Sequence, residues 1–152
     1  MKKLLGTAIA AGLMMTSATA LAAIPSADIA LGGIQPGMSI GEAIAAFGQP
    51  TYRDHGEDAY FPNGIKIDLD EWTRNTIEEI HLTRPGSGVA TPAGITVGSA
   101  ESDIQAAYGY PDKMEYDDGA QEYTYYATDS AMKLKIEAVR GSVVKIKCDM
   151  YD

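Results

Sequence analysis

Ile34–Pro50 reads IQPGMSIGEAIAAFGQP, and Ile95–Pro111 reads ITVGSAESDIQAAYGYP. The two stretches align without a gap, 61 positions apart. They share Ile34/Ile95, Gly37/Gly98, Ala45/Ala106, Ala46/Ala107, Gly48/Gly109 and Pro50/Pro111, and Phe47 is answered by Tyr108. The matching glycines and prolines carry the most weight, because they mark fixed backbone geometry. Self-similarity of this kind is the signature of an internal repeat.

Each stretch describes a short helix with written ends. Ser39 followed by Glu42 is a capping-box pattern. Ile40, Ala43, Ile44 and Phe47 fall at helical spacing. Gly48 stands where a left-handed residue ends a helix, and Pro50 blocks its continuation. In the second copy Ser99 or Ala100 opens the helix, Ile104, Ala107 and Tyr108 face inward, and Gly109-Tyr110-Pro111 closes it. Helices of two to three turns are not stable alone, so each must lie on an apolar surface.

The residues that follow supply one. Asp58–Phe61 leads into the turn Pro62-Asn63-Gly64, and Ile65–Asp70 then alternates strictly. Ile80-His81-Leu82 alternates again after a polar turn. In the second copy the strands are Glu122–Ala127, Met132–Ala138 and Val143–Met150. Period-two alternation gives each sheet one apolar and one polar face. The expected fold is therefore α+β: two tandem repeats, 34–84 and 95–151, each a short helix packed on an antiparallel meander of three to four strands. Residues 85–94 have linker composition. Units of this size are too small to be comfortable alone, so the repeats are expected to pack as one compact unit.

The ends and the composition bound the function. Lys2 and Lys3, an apolar run from Leu4 to Met15 and the small-residue tail Ala20-Leu21-Ala22 read as a signal peptide over residues 1–22. The protein is thus expected to be exported, periplasmic or secreted, with no stable membrane anchor. The formal net charge is −9, and losing Lys2 and Lys3 makes it more negative. That argues against nucleic acid as a partner, since phosphate recognition needs a basic footprint. Cys148 stands alone, so no internal disulfide is possible, and its place in the alternating run Val144–Met150 puts the thiol on an apolar strand face.

The pattern Ile-x-x-Gly, a small residue, an acidic residue in the first turn, then aromatic-Gly-x-Pro and a strand meander resembles the superfamily of β-lactamase inhibitory protein and the small outer-membrane assembly lipoproteins. The resemblance covers about residues 34–84 and 95–151. It implies a helix-on-meander fold, a non-catalytic role and another protein as partner. The chain departs from both branches: it has one cysteine where the inhibitory protein has disulfides, and no cysteine follows the apolar run as the lipoproteins require.

Asp68, Asp70 and Glu79 stand at positions 1, 3 and 12 of a calcium loop, but position 6 is Thr73 where a glycine is needed, so carboxylates on a wet strand face are the better reading. His55 and His81 are too few for a zinc site. No nucleophile elbow, phosphate loop or distinguished carboxylate pair stands out, so no catalytic residue, metal or cofactor is assigned. The polar strand faces carry Lys66, Asp68, Asp70, Glu79 and His81 in the first half, and Lys133, Lys135, Glu137, Lys145 and Lys147 in the second. This reads as a bipolar docking surface, with Trp72 and Tyr126 as aromatic anchors. The expected partner-binding residues are Asp68, Asp70, Trp72, His81, Tyr126, Lys133, Lys135 and Lys145. They point to an exported protein-binding module, an enzyme inhibitor or an accessory of envelope assembly. The alternative is a small enzyme or ligand carrier with a site between the two repeats.

Overall fold

The computed structural model describes residues 23–151; the signal peptide read at 1–22 lies outside the described residues. Ser39 caps helix α1 (Ile40–Phe47) as the sequence predicts: its hydroxyl accepts from the Glu42 amide at 3.3 Å, and its own amide donates to the Glu42 carboxylate at 2.8 Å. Helix α2 (Glu101–Tyr108) starts at Ala100 without a side-chain cap. Ile40 and Ala43 are buried on α1, and Ile104 and Tyr108 on α2, whereas Ala107 is exposed. Gly48 and Gly109 close the helices at φ 84° and 78° but with ψ near 180°. This is not the left-handed helical cap expected, but a region only glycine occupies readily, which accounts for its presence at both positions.

The strands are β1 (Tyr52–Asp54), β2 (Asp58–Tyr60), β3 (Ile65–Leu69), β4 (Ile77–Leu82), β5 (Lys113–Asp117), β6 (Ala120–Tyr126), β7 (Met132–Val139) and β8 (Ser142–Met150). All eight belong to one antiparallel sheet in the order β1-β2-β3-β4-β8-β7-β6-β5. This corrects the α+β expectation of two tandem units, each a helix on its own meander. The protein is closer to all-β: one continuous sheet carries the core, and the two eight-residue helices are attachments to it. The physical reason lies in β4 and β8. Each would leave an unpaired edge if its meander stood alone. Paired with each other through Glu79↔Asp149, Ile80↔Cys148, His81↔Lys147 and Leu82↔Ile146, they satisfy both edges and form the middle of the sheet.

The apolar face holds Ile65, Ile67, Ile77, Ile80, Leu82, Leu134, Ile136, Ile146 and Cys148, all essentially inaccessible. The helices lie over this face. Phe47 meets Phe61 edge-on at 5.6 Å, and Tyr108 packs on Tyr125 at 5.4 Å. The Tyr125 hydroxyl donates to the Gly109 carbonyl at 2.9 Å, tying the end of α2 to the sheet. Two segments outside the predicted elements join the core: Ile24, Ile29 and Leu31 ahead of α1, and Val89 and Thr91 within 85–94. The Ala90 carbonyl accepts from the Gly32 amide at 3.0 Å, so the supposed linker is bound to the N-terminal segment. Among the described residues no helix is long and apolar enough to cross a membrane.

Cys148 is fully buried, and burial pushes its thiol well above the ordinary range. The folded protein is expected to resist a thiol-reactive disulfide reagent and to label at this one cysteine once unfolded in guanidinium. Rapid labelling under native conditions would contradict the packing at the β4–β8 joint.

Candidate functional site

The polar side of the sheet is built by strand register. One row across the sheet runs Tyr52, Tyr60, Lys66, His81, Lys147, Lys135, Thr124 and Lys113. The next row runs Asp54, Asp58, Asp68, Glu79, Asp149, Lys133 and Tyr126. A mostly cationic row thus lies beside a mostly anionic one. The bipolar surface expected from the sequence, acidic in one half and basic in the other, is replaced by charges interleaved across strands.

The two rows lock into a chain of ion pairs. Lys66 Nζ lies 3.3 Å from Asp58 and 2.6 Å from Asp68. His81 Nε2 lies 3.3 Å from Asp68 Oδ2 and also meets Glu79. Glu79 meets Lys147, whose Nζ lies 3.6 Å from Asp149, and Lys133 Nζ lies 3.2 Å from the same carboxylate. The side chains of His81 and Glu79 are only 17% and 16% exposed, so water screens the middle of the chain weakly. Beside it, Lys135 pairs with Glu122 at 2.8 Å and Lys145 with Glu137 at 3.4 Å.

The titrating groups record this arrangement. Burial works against the charged forms of Asp68, Glu79 and His81. Their mutual hydrogen bonds, with those from Lys66 and Lys147, outweigh it. The two carboxyls end below their ordinary values, and the His81 imidazole above its own. A protonated His81 supplies the fourth positive charge opposite Asp58, Asp68, Glu79 and Asp149. Asp68, Glu79 and His81 are also near enough to share a metal ion. Their oxygens, however, already face the ammonium groups of Lys66 and Lys147, which favours charge pairing over cation capture.

Aromatic pairs flank the charged stripe. Tyr52 and Tyr60 lie 5.7 Å apart on one side, with Lys66 Nζ 5.8 Å from the Tyr60 ring centre. Tyr126 and Tyr151 meet edge-on at 5.2 Å on the other, with Lys133 Nζ 5.8 Å from the Tyr151 ring. From β2 to β6 is five strand spacings, about 24 Å. Tyr52, Tyr60 and Tyr126 are 58%, 36% and 37% exposed.

Of the expected binding residues, Asp68, His81, Tyr126, Lys133, Lys135 and Lys145 share this face. Asp70 and Trp72 do not. They sit in the turn between β3 and β4, where Asp70 Oδ1 accepts from the Thr73 amide at 2.7 Å and Trp72 is 85% exposed. Sequence reasoning missed Tyr52, Tyr151, Asp58, Glu122 and Asp149. The signal for Asp149 was present, since it alternates with Cys148 in β8; Tyr52 lies in a strand too short to show a pattern. Tyr123 and Tyr125 belong to the core. The joint between the two meanders, where the alternative reading puts a ligand site, is a strand pair with Ile80, Leu82, Ile146 and Cys148 fully buried.

No protein-family model matches the chain, and no curated protein matches it. Solved structures that share its fold include two from bacteria. One is a DUF4309-family protein (YjgB) from Bacillus subtilis, 14% identical with a TM-score of 0.50 over 74% of this chain and 78% of that one. The other is a cysteine-rich secretory protein from Staphylococcus aureus, also 14% identical with a TM-score of 0.50, over 84% of this chain. The match covers 47% of that second protein's chain. Neither is a β-lactamase inhibitory protein or an outer-membrane assembly lipoprotein, and at this identity the likeness is one of fold.

Proposed function

We propose that the protein is an exported, non-catalytic binding module that docks another protein on the polar face of its sheet. The observation that carries this reading is the pair of partly exposed tyrosine clusters, each with a lysine over a ring, on either side of a pre-arranged ionic stripe. Tyrosine supplies large contact area with few rotatable bonds and is enriched at interface hot spots. The ion pairs hold the charged side chains in place before any partner arrives, which lowers the ordering cost of association. Because these charges already neutralise one another, partner choice rests on register and shape more than on net charge.

Photo-crosslinking from position 126 in the native cell, with Tyr60→Ala/Tyr126→Ala as control, tests the reading. A defined partner should be recovered, and the double variant should weaken its binding about tenfold or more without changing the circular dichroism of the fold. Equal recovery with both proteins would remove the proposal.

A further inference from the structure

Among the described residues strand β5 ends the sheet, with no neighbour on its outer side, and all five of its residues are exposed. Its hairpin with β6 turns through Asp118 and Gly119, at φ 47° and 83°, the two-residue form of turn with both central residues at positive φ. In that form the closing pair, here Asp117 and Ala120, exchanges both backbone hydrogen bonds, and the pattern alternates from there. The backbone N–H and C=O of Glu115 therefore face β6, and those of Met114 and Tyr116 face outward. An open edge of this kind pairs with another strand unless something blunts it. The opposite edge, β1, is only three residues long, whereas β5 has five in unbroken register with β6.

The sequence Lys113-Met114-Glu115-Tyr116-Asp117 complements itself when laid antiparallel about Glu115. Lys113 then faces Asp117 of the second copy and Met114 faces Tyr116, each pair occurring twice. Met114 and Tyr116 are also the residues with outward backbone groups, so each of their pairs exchanges two hydrogen bonds. Met114 lies opposite the buried Tyr123, which places Met114 and Tyr116 on the core side of the sheet, where they are 42% and 73% exposed. Methionine against an aromatic ring is a favourable cross-strand contact. Lys113 and Asp117 fall on the opposite, charged side. We propose that two copies of this chain join edge to edge through β5, in a two-fold antiparallel pairing centred on Glu115 that continues the sheet across the dimer. Glu115 facing its own copy is the one opposed pair, and Lys113 Nζ, 2.9 Å from Glu115 Oε1 on the same strand, offsets it. Two five-residue strands bury little area, so the dimer is reversible, with micromolar or weaker affinity.

Sedimentation velocity over a concentration series tests this. The wild type should shift from monomer to dimer as concentration rises. Met114→Pro removes only an outward N–H and leaves the ladder to β6 intact, so it should stay monomeric with an unchanged melting curve. Lys113→Glu should weaken the dimer about tenfold, and Lys113→Glu/Asp117→Lys should restore it. Glu115→Gln should strengthen it. A wild type that stays monomeric at every concentration, or a dimer that both Met114→Pro and Lys113→Glu leave unchanged, would overturn the proposal.

Discussion

Ile80→Ala is expected to lower the stability of the fold by about 3 kcal/mol, through lost apolar burial plus a cavity that its neighbours cannot close. Ile80 is fully buried at the centre of the sheet, between Ile67 on β3 and Cys148 on β8. All three side chains belong to strands held on both sides, so the backbone has little room to collapse inward. For a domain of this size the melting temperature should fall by roughly 10 °C. Chemical denaturation read by circular dichroism measures the change. A loss below about 1 kcal/mol would mean that the β4–β8 joint is not the tightly packed centre described above.

The second large effect concerns Glu79. This carboxylate meets both His81 and Lys147. Glu79→Gln leaves the two cations with Asp68 and Asp149, at 3.3 and 3.6 Å, while Lys135 faces Lys147 directly across the strands. The expected loss is about 2 kcal/mol, less than for a fully buried pair because the site keeps some contact with water. The pH dependence gives a sharper test. His81 titrates above its ordinary value of 6.5, so its contribution is complete below 6.5 and is lost as the pH rises through its folded value. Asp68 and Glu79 titrate below their ordinary 3.8 and 4.5, so theirs is complete above those values and is lost as the pH falls. Asp58, pushed up by burial and by Asp68, works in the opposite sense on the acid side. Stability should therefore be greatest between about pH 4.5 and 6.5 and decline on the alkaline side. In Glu79→Gln that alkaline decline should flatten, because His81 has lost one of the carboxylates that holds its proton. An unchanged alkaline limb in urea denaturation from pH 6 to 9 would separate His81 from the network.

What could be read from the residues divides along physical lines. The start of α1 was legible because capping depends on residues three apart, Ser39 and Glu42. The buried positions of β3 and β7, and Ile146 and Cys148 of β8, were legible because alternation is a local pattern; Val144 and Met150, in the same alternating run, are exposed, and Val143 takes the buried place where the register shifts against β7. The α+β class was misread because helical spacing tells which residues turn inward, not how much of the core they supply; Ile104 and Tyr108 are the only buried residues of α2. Strand order was not legible, since nothing local says that Ile80 faces Cys148. The interleaved charges depend on that same long-range register, so they too were hidden. The two edge strands escaped for another reason. Met114 and Tyr116 alternate with charged residues on β5, yet neither is buried, and a strand whose core-side residues stay exposed leaves only a faint apolar trace.

The chain supplies the keystone of the sheet last. Among the described strands β8 is the final one in sequence and a middle one in space. During synthesis the earlier strands therefore wait with one flank open, and native closure requires segments far apart along the polypeptide to meet, a slow kind of folding step. Deleting β8 would open the sheet along its spine, because this strand alone joins β4 to β7.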